Sequence, residues 1–249
     1  MGRIITFASG KGGTGKTLVV ANLGVAMAQL KQKVVLIDAD IMMANLGLLL
    51  GLGGQKTTLH EVLAGKARLS KAIYNGPQGV KVVPSGIPLD GVQQVRFERL
   101  KGVIDELASK YKFLLIDAPS GLDRDAITPL TMAQEIVLVV TPDIASLSNA
   151  LKTKIVAERF GVKPMGVIVT RATSKRLDIP GDEIASTLEL PVLATIPEDP
   201  EVRRSAALRE PVVTYRSKSP AAREFAKLAA ALVEASPADS ESSDLESSQ

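Results

Sequence analysis

The stretch Ser9-Gly-Lys-Gly-Gly-Thr-Gly-Lys-Thr17 constrains this chain more than any other segment does. Gly10, Gly15, Lys16 and Thr17 satisfy the pattern G-x-x-x-x-G-K-[ST], a loop whose backbone N–H groups cradle a phosphate chain. In that pattern Gly12, Gly13 and Thr14 fill the turn, Lys16 reaches the β/γ-phosphates, and the Thr17 hydroxyl faces magnesium. The loop works only between a buried strand and a helix, whose N-terminal dipole adds to the attraction for anions. Both flanks are present: Arg3-Ile-Ile-Thr-Phe-Ala8 is apolar and β-branched, and residues 18–30 form a long apolar-rich segment suited to a buried helix.

The rest of the chain repeats the alternation. Short apolar runs near 3–8, 33–38, 80–84, 112–117, 135–141, 165–170 and 191–196 predict strands, with helical patterns between most of them. This implies a single α/β domain with a mostly parallel sheet of about seven or eight strands and helices on both faces. Runs such as "FLLID" and "IVLVV" are apolar throughout, as strands covered on both faces should be. Sheets of this kind bind ligands at the carboxyl ends of their strands. There the sequence places the glycine-rich loop, Asp38-Ala-Asp40, Asp117-Ala-Pro-Ser-Gly121, Thr170-Arg171 and Ile196-Pro-Glu-Asp199.

Of these, Asp117 closes an apolar strand in the Walker-B manner and is expected beside magnesium. Asp38 and Asp40 follow the second strand two residues apart and are given different roles. Asp38 is assigned to the magnesium shell and Asp40 to positioning the attacking water, the other reading being that one of them caps the next segment.

Composition removes several classes of function. There are no cysteines, which excludes disulfides, thiolate metal sites and iron–sulfur clusters. No apolar run approaches the roughly 20 residues that span a bilayer, and the first strand runs straight into the loop without a cleavable leader, predicting a soluble cytoplasmic protein. The domain is expected to end near residue 235, because the serine-rich acidic stretch 236–249 lacks the apolar surface to fold. Before that tail, 30 basic residues stand against 23 acidic ones, with seven basics between Arg203 and Lys227. Such a run is either a solvated face or a surface for polyanions.

"KGGTGKT" with its additional lysine, "DAD", "DAPSGLDR", "TPDIASLSNALKTK" and "IPEDPEVRRSA" together resemble the MinD/ParA family of deviant Walker-A ATPases in the SIMIBI P-loop class, most nearly its archaeal MinD branch, over residues 3 to about 235. The resemblance implies ATP and Mg2+ as cofactors and a homodimer when ATP is bound. It makes Lys11 the signature lysine that reaches the phosphates of the other subunit, which explains why the loop carries two lysines. Positive groups supplied in trans of this kind contribute roughly 10³–10⁵ in rate. The resemblance also brings Asn45, within "MMANLGLLLG", into the catalytic set, and puts the base beside Arg171 and the Pro197-Glu198-Asp199 loop. Leu18 stands where many relatives carry a second threonine, leaving backbone N–H groups to serve the α-phosphate.

The function implied is a nucleotide switch in spatial regulation, MinD-like at a division site or in cellular positioning, with a protein activator or cargo as partner. The alternative is a ParA-like partitioning ATPase whose ATP dimer binds DNA non-specifically through the 203–227 basics. Bacterial MinD ends in a basic amphipathic helix where this chain has an acidic tail, so direct membrane binding is not expected, and any peripheral association would run through a partner. "TRATSKRLD" supplies no N/T-K-x-D segment for guanine. His60 is expected on a helix surface.

Overall fold

The computed structural model describes residues 1–86, 95–122, 124–173 and 177–235. The predicted disordered tail at 236–249 lies outside the described residues. Eight strands form one sheet: β1 (Arg3–Ala8), β2 (Val34–Asp38), β3 (Tyr74–Asn75), β4 (Lys81–Val83), β5 (Phe113–Asp117), β6 (Glu135–Val140), β7 (Lys163–Ala172) and β8 (Val192–Pro197). Their order is β3-β4-β2-β5-β1-β6-β7-β8. Every pairing is parallel except that of β3 with β4. The two-residue β3 is the strand that the sequence patterning missed, being too short to show alternation.

The helices are α1 (Lys16–Gln29), α2 (Leu46–Leu49), α3 (Leu59–Leu63), α4 (Leu100–Ala108), α5 (Arg124–Thr131), α6 (Ile144–Arg159), α7 (Gly181–Leu188), α8 (Pro200–Ala207), α9 (Val212–Tyr215) and α10 (Pro220–Glu234). Successive residues of each central strand enter different cores, as the two-residue period of a strand requires. Ile5 and Phe7 of β1, Leu36 of β2 and Phe113 and Leu115 of β5 pack with α1 and α10. Ile4, Val35, Ile37, Leu114 and Ile116 face the opposite layer with α3 and α4. Beyond β1, alternate residues of β6 and β7 close a third cluster with α6 and α7. The near-continuous apolar runs are therefore explained by burial on both faces.

This layering buries α1 on almost every side, with Val19, Val20, Leu23, Val25 and Met27 each at most 1% exposed. The helix that opens at the loop is thus anchored in the main core. His60 corrects the surface expectation: Leu59, His60 and Leu63 are the buried residues of α3, a five-residue helix fixed by a Thr58–Glu61 capping box. Its Nδ1 makes no hydrogen bond among the described residues. No helix among the described residues is long and apolar enough to cross a membrane.

Candidate functional site

The loop between β1 and α1 is shaped by its glycines in two ways. Gly13 and Gly15 have φ of +83° and +84°, and a Cβ at Gly12, Gly13 or Gly15 would meet nothing within 4 Å. They line open space. Gly10 does the reverse: a Cβ there would lie 2.4 Å from the Asn149 carbonyl oxygen, so the loop's first glycine is needed for close approach to α6. Gly15 is also the N-cap of α1, without a side-chain cap. Among the described residues, the N–H groups of Gly15, Lys16, Thr17 and Leu18 make no hydrogen bond. They are the unpaired donors that open a helix, and they face a cavity of about 690 Å³.

That cavity is lined by Gly12 through Leu18, by Asp40, Met42, Met43 and Asn45, and by Pro119, Ser120 and Arg171. Lys16 enters it from below, 2.5 Å from Asp117 Oδ1, with the side chains 4% and 1% exposed. Burial raises the Asp117 carboxyl above its usual range despite the opposing Lys16 charge and Thr17 hydroxyl. Asp38 is displaced upward further, first by burial and then by the charge of Asp117. The site floor therefore holds two carboxylates short of positive charge. A divalent cation suits it: Mg2+ takes one or two carboxylates plus phosphate oxygens and waters, and does not need a full protein cage.

The two aspartates of the 38–40 segment part company although residues two apart share one face of a strand, because β2 ends at Asp38 and the chain turns beyond it. Asp38 is fully buried and accepts from Asp40 N at 3.2 Å and Leu46 N at 3.1 Å, organising the turn into α2. Asp40 lines the cavity and accepts from Met43 N at 2.9 Å. Asn45 is exposed and donates from Nδ2 to Met43 O at 2.6 Å. Ser120 Oγ is 3.2 Å from Ser9 Oγ, and Gly121 N donates to Ser9 O at 2.9 Å, tying the loop after β5 to the glycine loop.

Lys11 is elsewhere. Its Nζ donates to both oxygens of Asp143, at 3.0 Å each. Asp143 is preorganised for this: it caps α6 by accepting from Ser146 N at 2.9 Å and also accepts from Thr141 Oγ1. These bonds and the Lys11 charge together outweigh its slight burial and hold its carboxyl below the usual range. The role of Asp143 is not legible in the sequence, because the partners are 132 residues apart. The D-x-x-S capping pattern was the only local signal.

Arg171, Pro197, Glu198 and Asp199 come together as expected, in a second cavity of about 400 Å³ that adjoins the first through Gly15, Leu18 and Arg171. Asp199 uses its carboxylate structurally, accepting from Glu201 N at 2.9 Å and Ala221 N at 3.1 Å.

Residues 5–212 match the model for the CobQ/CobB/MinD/ParA nucleotide-binding domain. The chain belongs to the MinD/ParA family. An ATP-binding protein of Methanocaldococcus jannaschii is 42% identical over 92% of this chain and 87% of its own length. The cell division ATPase MinD of Pyrococcus furiosus shares the fold with a TM-score of 0.90 and 40% identity, covering 94% of this chain and 99% of that one. The septum site-determining protein MinD of Pyrococcus horikoshii, complexed with Mg-ADP, has a TM-score of 0.89 at 39% identity over 93% and 96%. As a MinD/ParA protein the chain is a P-loop ATPase with ATP and Mg2+ as cofactors, and the open glycine cradle, free amides and cation-short carboxylates fit both.

Proposed function

We propose that this protein is a dimerising Mg-ATP-dependent switch in spatial regulation of the cell, hydrolysing ATP to ADP and phosphate with Lys11 acting on the nucleotide of the other subunit. The observation that carries the reading is the position of Lys11. Although it belongs to the phosphate loop, it is absent from the cavity lining and is held outside by Asp143. Lys16, by contrast, enters the cradle and pairs with the buried Asp117. Exposed apolar side chains stand at Met42 and Met43 of the cavity lining and at Ile144, next to Asp143.

In this reading Lys16 and the amides of Gly12 through Leu18 bind the β/γ-phosphates. Thr17 and Asp117 contact Mg2+ and Asp38 supports its water shell. Asp40 positions the attacking water, with Asn45 beside it in the same turn. Arg171 stacks on the base while the Pro197-Glu198-Asp199 backbone reads its edge. The unit responsible is residues 1–235. When bound, ATP would supply the scissile phosphoryl group and Mg2+ the positive charge that offsets its negative charge. A protein activator or cargo is the expected partner of the dimer. The DNA-coating alternative has weaker support, since Arg204 and Arg216 both pair with Glu201, and Lys227 pairs with Glu224.

Asp40→Ala tests the scheme. The variant should bind ATP and run as a long-lived dimer on size-exclusion chromatography, while phosphate release falls about 10²-fold. A variant that binds no ATP would place Asp40 among the binding groups and break the assignment.

A further inference from the structure

We propose that Thr170 is a positioning residue of the phosphate site, whose hydroxyl aims the Gly15 N–H at the bound phosphate. The inference deepens the nucleotide reading above and rests on it. Thr170 is 5% exposed at the carboxyl end of β7. Its Oγ1 lies 2.5 Å from Thr14 O and 3.0 Å from Val140 O. A hydroxyl has one hydrogen, and the shorter contact directs it to the loop carbonyl.

The geometry of the peptide supplies the consequence. The Thr14–Gly15 bond is trans, so its C=O and N–H point in opposite directions within one plane. Holding the Thr14 carbonyl against Thr170 turns the Gly15 N–H the other way, and that N–H has no partner among the described residues. Gly15, at φ +84°, has no Cβ to resist rotation of this plane, so an external contact must fix it.

The strand is built to provide that contact. The register between β7 and β8 shifts between Val169 and Ala172, with Thr170 and Arg171 inside the irregularity. Such bulges re-aim side chains next to functional sites. Arg171, with φ +53°, is turned toward the cavities while Thr170 meets the loop from behind. A side chain 156 residues away in the chain thereby completes the phosphate cradle.

Thr170→Val keeps shape and removes the hydroxyl. Its Mg-ADP affinity by calorimetry should fall about five-fold, the worth of one hydrogen bond, and Thr170→Ser should restore it. The Gly15 amide resonance, which should move strongly on adding Mg-ADP to the wild type, should move less in Thr170→Val and fully in Thr170→Ser. A role in packing alone would leave that resonance unaffected. Should Thr170→Val fail to fold, Thr170→Ala against Thr170→Ser makes the same comparison, since both lose the methyl group and one keeps the hydroxyl. Equal affinity and equal Gly15 shifts in the hydroxyl-free and hydroxyl-bearing variants would overturn the proposal while leaving the nucleotide site standing. Wild-type protein that binds no Mg-ADP would overturn both.

Discussion

Lys16 and Lys11 leave the same loop and each pairs with an aspartate, yet Lys16 and Asp117 are 4% and 1% exposed, whereas Lys11 and Asp143 are 33% and 46% exposed. Removing one partner of a buried pair leaves a stranded charge and costs about 3–5 kcal/mol. An exposed pair is worth about 0–1 kcal/mol and opens readily. The loop therefore has a fixed end and a releasable end. Lys16 gives up part of its bond to Asp117 only to another strong anion, while Lys11 can be drawn off by any competing negative charge that approaches the rim.

The sharpest way to break this contrast is Lys11→Ala. ATP turnover should drop on the order of 10³-fold, with Mg-ADP affinity by calorimetry staying within about two-fold because the residue lies outside its own cradle. Normal phosphate release in this variant would end the case for action in trans.

Lys16→Ala should strike the fixed end instead. Nucleotide affinity should weaken by about 100-fold through loss of charge-assisted bonds, and denaturant unfolding should show a loss of about 3 kcal/mol near neutral pH. The pH dependence has a definite sign. Asp117 already has a raised carboxyl pKa, and removing Lys16 raises it further, so the folded variant binds a proton that the unfolded chain releases. Its deficit is full above the raised folded value and shrinks as pH falls through that value toward the ordinary carboxylate range. A deficit independent of pH would show that Asp117 is not the stranded group.

The smallest effect belongs to Asp143→Asn, which keeps an oxygen to cap α6 but releases Lys11. ATP-dependent dimerisation measured by analytical ultracentrifugation should strengthen by up to about five-fold, the scale of one exposed pair. In the wild type the Asp143 pKa is depressed, so the Lys11 contact is complete above the usual carboxylate range and is lost only as pH falls through the lowered value. Unchanged dimerisation would mean that the pair does not hold Lys11 back.

The fixed end was legible in the sequence because its parts are local. Gly10 through Thr17 carry their own turn and helix start, and Asp117 announces itself by ending an apolar strand. The doubly covered sheet was legible in its strand composition for the same reason. What escaped is set by tertiary contact. Asp143 and Thr170 were visible after their strands, but nothing in the one-dimensional pattern says which loop a strand end will touch. His60 escaped because residue type suggested a wet side chain, while packing of the short α3 buried it. Asp38 and Asp40 were legible as a pair after an apolar strand, but their divergence was not, because it is set where β2 ends and Asp38 bonds Leu46 N to hold the turn.

The sheet's borders have a consequence for how copies of this protein meet. At one side the two-residue antiparallel β3 ends the ladder almost as soon as it starts, and at the other β8 closes on Pro197 with α10 packed along it. A two-residue edge on one side and a proline at the end of the other discourage strand-to-strand addition. Growth of one molecule onto the next by sheet extension, the route to open fibres, is thereby disfavoured. The dimer proposed above would instead use a two-fold face at the strand carboxyl ends, where the same patch meets itself and the assembly closes at two.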